Sequence, residues 1–96
     1  MTPEDPTMRD LSLGERVIAI IRQEVNKTMV PMPPVMSTTL LRDDLNMDSL
    51  DVIALVLDLE REFSITIPED DIDHFWLVGD MVESVERAVR KKEGRP

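Results

Sequence analysis

The sequence contains no cysteine, a single histidine and very few aromatic residues. Without cysteine the chain forms no disulfide and supplies neither a zinc–thiolate site nor a thiol nucleophile of its own. Its longest apolar run covers six residues, 52–57, far short of the roughly 20 that a membrane-spanning helix needs. The first residues lack the basic-then-apolar pattern of a secretory signal, so we expect a cytoplasmic protein without a membrane span.

Basic residues are also scarce, with 11 against 20 acidic ones and a net charge of −9. This balance argues against a nucleic-acid binder, because phosphate contacts depend on Lys and Arg. The excess lies in one segment: from Asp43 to Asp73 there are eleven acidic residues and one basic residue, Arg61. Such a segment is usually a solvated face, but it also suits a surface that attracts basic partners.

Apolar periodicity predicts helices, beginning with one over about 13–29, where Ser12 and Glu15 form a capping box. Prolines at 31, 33 and 34 end that helix and open a long loop, 31–47. The loop contains several large apolar residues, so we expect it to be packed. Asp48 is a suitable N-cap for a second helix over about 49–63.

The remaining pattern predicts an extended connection over 64–67, a short third helix that begins at Pro68, and a fourth helix that opens at Gly79-Asp80 and ends near 92. At 96 residues one domain is expected. We therefore predict an all-α four-helix bundle, three main helices plus a short third one, with a long structured loop between helices 1 and 2. The domain should cover 12–92, between a flexible extension, 1–11, and a flexible tail, 93–96.

Hydrolytic or metal chemistry is poorly supported. Ser49 is the one candidate nucleophile in a distinctive setting, and His74 is the sole histidine and suits a helix end or surface. Residues 44–55 do not fit the calcium-binding loop of an EF-hand. Ser49 stands where the turn needs Gly, and Leu55 stands where a bidentate Glu is needed. We predict no catalytic and no metal-binding residue.

The tetrapeptide Asp48-Ser49-Leu50-Asp51 at a helix start, preceded by Asp43-Asp44-Leu45, resembles the signature of the acyl carrier proteins. The resemblance continues through 55–63, 65–71 and 78–80 and needs no gap over 45–80. It implies a four-helix bundle with a long first loop. It also implies that Ser49 carries 4′-phosphopantetheine, donated by coenzyme A and attached by a separate phosphopantetheinyl transferase with a magnesium ion.

The same resemblance implies roles for neighbouring residues. Asp48 would assist the metal of the transferase, and Leu50 would contact partner enzymes. The thiol absent from the chain would come from the prosthetic group, so the protein would be a carrier and not an enzyme. It would shuttle acyl groups between enzymes of fatty-acid, lipid or polyketide biosynthesis, and we expect it to be a monomer.

Helix 2 of this family docks against basic grooves on successive enzymes, and the acyl chain is sheltered between helices 2 and 3. The implied docking residues are Asp44, Asp51, Val52, Leu55, Val56, Asp58, Glu60 and Glu62. The implied walls of the acyl pocket are Ile53, Leu57, Leu59, Phe63, Ile67, Ile72, Phe75 and Trp76. Any of the apolar ones could equally be an ordinary core residue.

Some residues depart from the family pattern. Asn46 stands where Gly is usual, but Asn also tolerates positive φ. Ala54 replaces an acidic residue, and Trp76 with Leu77 replaces small polar ones. Two alternatives stay open: an aminoacyl or peptidyl carrier, whose usual Gly-Gly-His/Asp-Ser is missing, and an acidic helical interaction module whose Ser49 is never modified.

Overall fold

The computed structural model describes residues 12–94, and this range contains four α-helices. Helix α1 covers Leu13–Val25, α2 covers Ser49–Phe63, α3 covers Glu69–Ile72 and α4 covers Val78–Lys92. Helix α1 packs against both α2 and α4. The predicted all-α, four-helix class with a long loop between helices 1 and 2 is confirmed. The extension predicted for 1–11 lies outside the described residues.

Helix α1 begins as predicted and ends earlier than predicted. The Ser12 hydroxyl accepts the Glu15 N–H at 3.1 Å, and the Glu15 carboxylate accepts the Ser12 N–H at 3.0 Å. These hydrogen bonds, the one from the Ser12 backbone first, lower the pKa of Glu15. The helix stops at Val25 rather than near 29. The chain then tightens into a turn, in which the Lys27 N–H donates to the Glu24 carbonyl and the Thr28 N–H donates to the Val25 carbonyl.

The core lies where the inner faces of α1, α2 and α4 meet the long loop and the connection after α2. Fully or nearly fully buried side chains repeat at helical spacing in all three long helices. No helix among residues 12–94 combines the length and apolar content needed to cross a bilayer. The core residues are Val17, Ile21, Val25, Val35, Leu41, Leu45, Met47, Val52, Leu55, Val56, Leu59, Phe63, Ile65, Ile67, Phe75, Val78, Met81 and Val85.

The loop between α1 and α2 is packed, as its apolar content predicts. Its backbone is tied to the segment before α4: the Leu41 N–H donates to the Trp76 carbonyl, and the Val78 N–H donates to the Thr39 carbonyl, both at 2.9 Å. The Gly79 N–H donates to the Ser37 carbonyl at 2.8 Å. A Cβ at Gly79 would lie 3.0 Å from that same oxygen, so the close approach of loop and helix favours glycine.

Helix α4 starts at Val78, one residue before the predicted Gly79, and α3 starts one residue after the predicted Pro68. The reason at α4 is Asp80, whose carboxylate accepts the backbone N–H groups of Trp76 at 2.9 Å and Leu77 at 2.8 Å. These bonds satisfy donors ahead of the helix and set its first turn.

A carboxylate on α3 fastens this short helix to α4. Asp71 accepts a hydrogen bond of 2.8 Å from the buried Ser84 hydroxyl and one of 3.0 Å from the Arg87 guanidinium. These bonds, with Ser84 the larger contributor, lower the pKa of Asp71 below its usual range. The ionised form is therefore favoured by the fold. An isolated helix of four residues is not stable, so α3 depends on tertiary contacts such as this one to keep its position.

We predict that Asp71→Asn lowers the free energy of unfolding by about 1 kcal/mol at pH 7, because it removes a charged hydrogen-bond acceptor. Since folding lowers the pKa of Asp71, its contribution is complete above the pKa of the unfolded chain and is lost as the pH falls through the folded pKa. The gap between wild type and variant should thus narrow in acid. Urea unfolding followed by circular dichroism at successive pH values measures it.

Glu69→Gln is the matched control, because Glu69 is an exposed acid on the same helix without such an anchor. It should leave stability nearly unchanged at every pH. A gap between Asp71→Asn and wild type that stays constant from pH 7 to low pH would contradict the assigned cause.

Candidate functional site

The start of α2 carries Ser49 as its first helical residue, with its side chain exposed. Asp48 is the N-cap, as predicted: its carboxylate accepts the Asp51 N–H at 2.9 Å. The Asp51 carboxylate in turn accepts the Asp48 N–H at 3.1 Å, so the two residues form a reciprocal capping box. The backbone on both sides of Ser49 is thereby held, while its hydroxyl remains accessible.

Just before this cap, the loop contains one residue in the left-handed conformation between two buried residues. Leu45 and Met47 are buried, and Asn46 between them has φ of 55°. The expectation that Asn46 accepts positive φ in place of Gly is confirmed. Because Leu45 and Met47 anchor the turn in the core, the position of Asp48 and Ser49 follows from packing.

An open cavity of about 190 Å³ lies directly beside Ser49. Four of the residues predicted for the acyl pocket line it together, and Trp76 among them remains 64% exposed. The cavity thus joins an apolar wall to the serine hydroxyl. Its lining consists of Arg42, Ser49, Val52, Ile53, Ile72, Asp73, Phe75 and Trp76.

The other residues predicted for the acyl pocket do not line this cavity. Leu59, Phe63 and Ile67 are buried in the core, where they pack with the helices. Leu57 is 52% exposed, and so it lies on the outside of α2. The residues predicted for the acyl pocket are therefore divided among this cavity, the core and the exposed side of α2.

Three residues predicted for partner docking are not on the surface. Val52, Leu55 and Val56 are buried. Their spacing of three and four residues puts them on one face, and that face packs inward against the core. The expectation that they contact partners is therefore corrected.

The face of α2 opposite the core is apolar rather than charged. Leu50 is 76% exposed, Ile53 is 47% exposed and Leu57 is also exposed. We call these three residues the outer stripe. Ala54, which replaces an acid of the family pattern, is exposed on the same helix. Large exposed aliphatics at helical spacing are unusual on a monomer and are typical of a contact surface.

The predicted docking acids divide into internal acceptors and ion-pair partners. Asp44 accepts the Leu40 N–H at 2.8 Å, Asp51 belongs to the capping box, and Glu60 accepts the Ile67 N–H at 2.8 Å. The other two form long ion pairs: Asp58 with Arg61 at 3.9 Å, and Glu62 with Arg16 at 3.8 Å.

Sequence reasoning missed Arg42 and Asp73. The Arg42 guanidinium donates to the Ser49 hydroxyl at 3.3 Å, and both missed residues line the cavity. The available signal was a cation directly before the acidic segment. His74, by contrast, does not join Ser49: its Nδ1 lies 2.7 Å from the Asp70 carbonyl at the end of α3, which agrees with a helix-end residue.

Comparison with known proteins identifies the kind of domain. Residues 15–85, well over half of the chain, match the family described as "Phosphopantetheine attachment site". The chain is 39% identical over 80 residues to the acyl carrier protein of Amoebophilus asiaticus (strain 5a2), which covers 83% of this chain and 96% of that one.

Solved structures agree with this class. A Mycobacterium tuberculosis protein assigned to the acyl carrier proteins is 30% identical, with a TM-score of 0.70 over 79% of this chain and 97% of its own. The acyl carrier protein of Thermotoga maritima is 24% identical and has a TM-score of 0.72 over 86% of this chain and 98% of its own, which supports the fold alone. The fold and the matched domain thus define a helical carrier of the phosphopantetheine type. The chain belongs to the acyl carrier protein family.

The surroundings of Ser49 fit the family's prosthetic group, 4′-phosphopantetheine. Its hydroxyl is exposed at a helix N-terminus, where backbone N–H groups and the helix dipole favour a phosphate. The Arg42 guanidinium adjoins it, and the neighbouring cavity is partly lined by apolar side chains. When bound, such a group supplies a thiol on a flexible arm, which this cysteine-free chain lacks.

We predict that Asn46→Ala destabilises the protein by about 1 kcal/mol, because Ala adopts the left-handed region at a steric cost. Asn46→Gly should leave the free energy of unfolding within a few tenths of a kcal/mol of wild type. The two variants remove the same side-chain amide and differ only in the Cβ. Equal losses in denaturant unfolding would mean that the amide, and not the backbone conformation, is what the turn needs.

Proposed function

We propose that the chain carries acyl groups as thioesters on a 4′-phosphopantetheine arm attached to Ser49, and that it passes them between enzymes of fatty-acid, lipid or polyketide biosynthesis. The observation that carries this proposal is the exposed Ser49 hydroxyl, which is fixed at the first residue of α2 and lies beside a cavity that is partly lined by apolar side chains. The chain is the substrate of a phosphopantetheinyl transferase and performs no catalysis itself.

In the attachment step, Ser49 Oγ forms a bond to the phosphorus on the pantetheine side of coenzyme A. The phosphoanhydride bond of coenzyme A breaks, and the nucleotide portion leaves with that electron pair, while the serine proton passes to a base on the transferase. The chain contributes an accessible hydroxyl whose backbone is held by Asp48 and Asp51. It also contributes a helix N-terminus that accommodates the new negative charge.

The cavity beside Ser49 is the shelter proposed for the start of the acyl chain. Ile53 comes from α2, Ile72 from α3, and Phe75 with Trp76 from the segment before α4, so three parts of the fold supply its apolar side chains. Burying a methylene there contributes about 0.8 kcal/mol. The opening beside Ser49 is where a tethered chain would enter.

The outer stripe and the acids next to it form the proposed docking surface. Leu50, Ile53 and Leu57 offer apolar area, and Asp58 lies on the same helix. Charge speeds the encounter with a basic partner, and the small apolar contact keeps the complex short-lived, as a shuttle requires.

The first test is modification of the purified protein. Incubation with coenzyme A, magnesium and a promiscuous phosphopantetheinyl transferase should add the mass of one phosphopantetheinyl group, measured on the intact protein. Ser49→Ala should add none, and its circular dichroism spectrum should match wild type. Unchanged wild-type mass with a panel of transferases would refute the carrier proposal and favour the unmodified interaction module.

The second test addresses docking. Asp58→Lys should slow loading by the transferase severalfold at low salt and much less at high salt, because screening weakens charge steering. Glu83→Lys on α4 is the matched control: it reverses an acid that also pairs with an arginine at 3.9 Å, but on a different helix. Equal rates for both variants at low salt would mean that α2 is only a solvated face.

A further inference from the structure

Arg42 carries a positive charge beside Ser49, and the attachment step described above does not use it. Its guanidinium donates to the neutral Ser49 hydroxyl at 3.3 Å, and its side chain is exposed in the loop. Asp43 and Asp44 follow it directly in the chain, yet none of the carboxylates within residues 12–94 forms an ion pair with it. Among these residues, the guanidinium therefore keeps most of its donors available for an anion at Ser49.

We propose that Arg42 binds the phosphodiester of the phosphopantetheine arm and so holds the arm at the mouth of the cavity. This inference rests on the proposed attachment at Ser49. In the attached form the phosphorus is bonded to Ser49 Oγ, the same atom that Arg42 already contacts. An arginine placed there meets the free phosphate oxygens without rearrangement of the loop.

Charge and shape both favour this pairing. Attachment replaces the neutral hydroxyl of Ser49 with an anionic phosphate, so Coulomb attraction is added to a hydrogen bond that the guanidinium charge already strengthens. A guanidinium can also bind two phosphate oxygens at once, which a lysine cannot do with the same fork geometry.

The charged residues of the cavity determine on which side of its mouth the phosphate lies. Arg42 and Trp76 line the same cavity, and so does Asp73. A phosphate is attracted by Arg42 and repelled by Asp73, which favours the arginine side of the mouth. The arm then leaves the phosphate beside the apolar wall that contains Trp76. Arg42 thus acts as a positioning residue for the arm.

The experiment compares loaded wild type with loaded Arg42→Gln and loaded Arg61→Gln. Arg61 is the matched control, since it is a cation on α2 that pairs only with Asp58, at 3.9 Å, among the described residues. We expect the phosphorus NMR resonance of the phosphodiester to shift in Arg42→Gln and to stay in place in Arg61→Gln. The shift should persist in moderate salt because the two charges are in contact.

A second measurement uses wild type alone. It tests the role of Arg42 even if the Arg42→Gln variant is loaded poorly. The Arg42 side-chain Nε–H resonance should differ between the unloaded and loaded forms, and fluorescence of Trp76, the single tryptophan, should change on loading. An unchanged Arg42 resonance, or identical phosphorus spectra in all three proteins, would overturn the role of Arg42. Intact mass separates this failure from failure of attachment, because the mass gain would still be present.

Discussion

The reciprocal hydrogen bonds between Asp48 and Asp51 fix the residue at which α2 begins. Each residue advances about 100° around the axis, so a helix that buries Val52 and Leu55 turns Leu50 outward. The cap ends the helix just ahead of Ser49, so Ser49 is the first helical residue and remains accessible.

The cap in turn depends on the loop that precedes it. Leu41 and Leu45 bury that loop in the core, and the Leu41 N–H binds the Trp76 carbonyl across the molecule. One hydrogen-bonded contact thus places the loop before α2 beside the segment before α4. The cavity exists because these two segments meet next to Ser49, so the serine and the apolar wall are positioned by the same packing.

The helices, the packed loop and the cap at Asp48 could be predicted from the sequence, because apolar period and capping chemistry are local. The phase of α2 could not, since residues 52–57 are apolar around the whole helix and the pattern does not distinguish inside from outside. Docking was consequently assigned to Val56, which is buried. Arg42 was missed because the direction of a loop side chain depends on tertiary packing.

Acidic composition overstates the charge that α2 offers to a partner. Asp51 and Glu60 on α2 each accept a backbone N–H, so these carboxylates stabilise the fold as well as contributing surface charge. A carboxylate engaged in this way can still attract a distant cation, but it has fewer lone pairs for a direct contact. In the proposed docking, recognition of α2 depends on the apolar area of Leu50 and Leu57, with charge acting mainly on the rate of encounter. This division suits a carrier, because long-range attraction brings partners quickly, while a small apolar contact lets them leave.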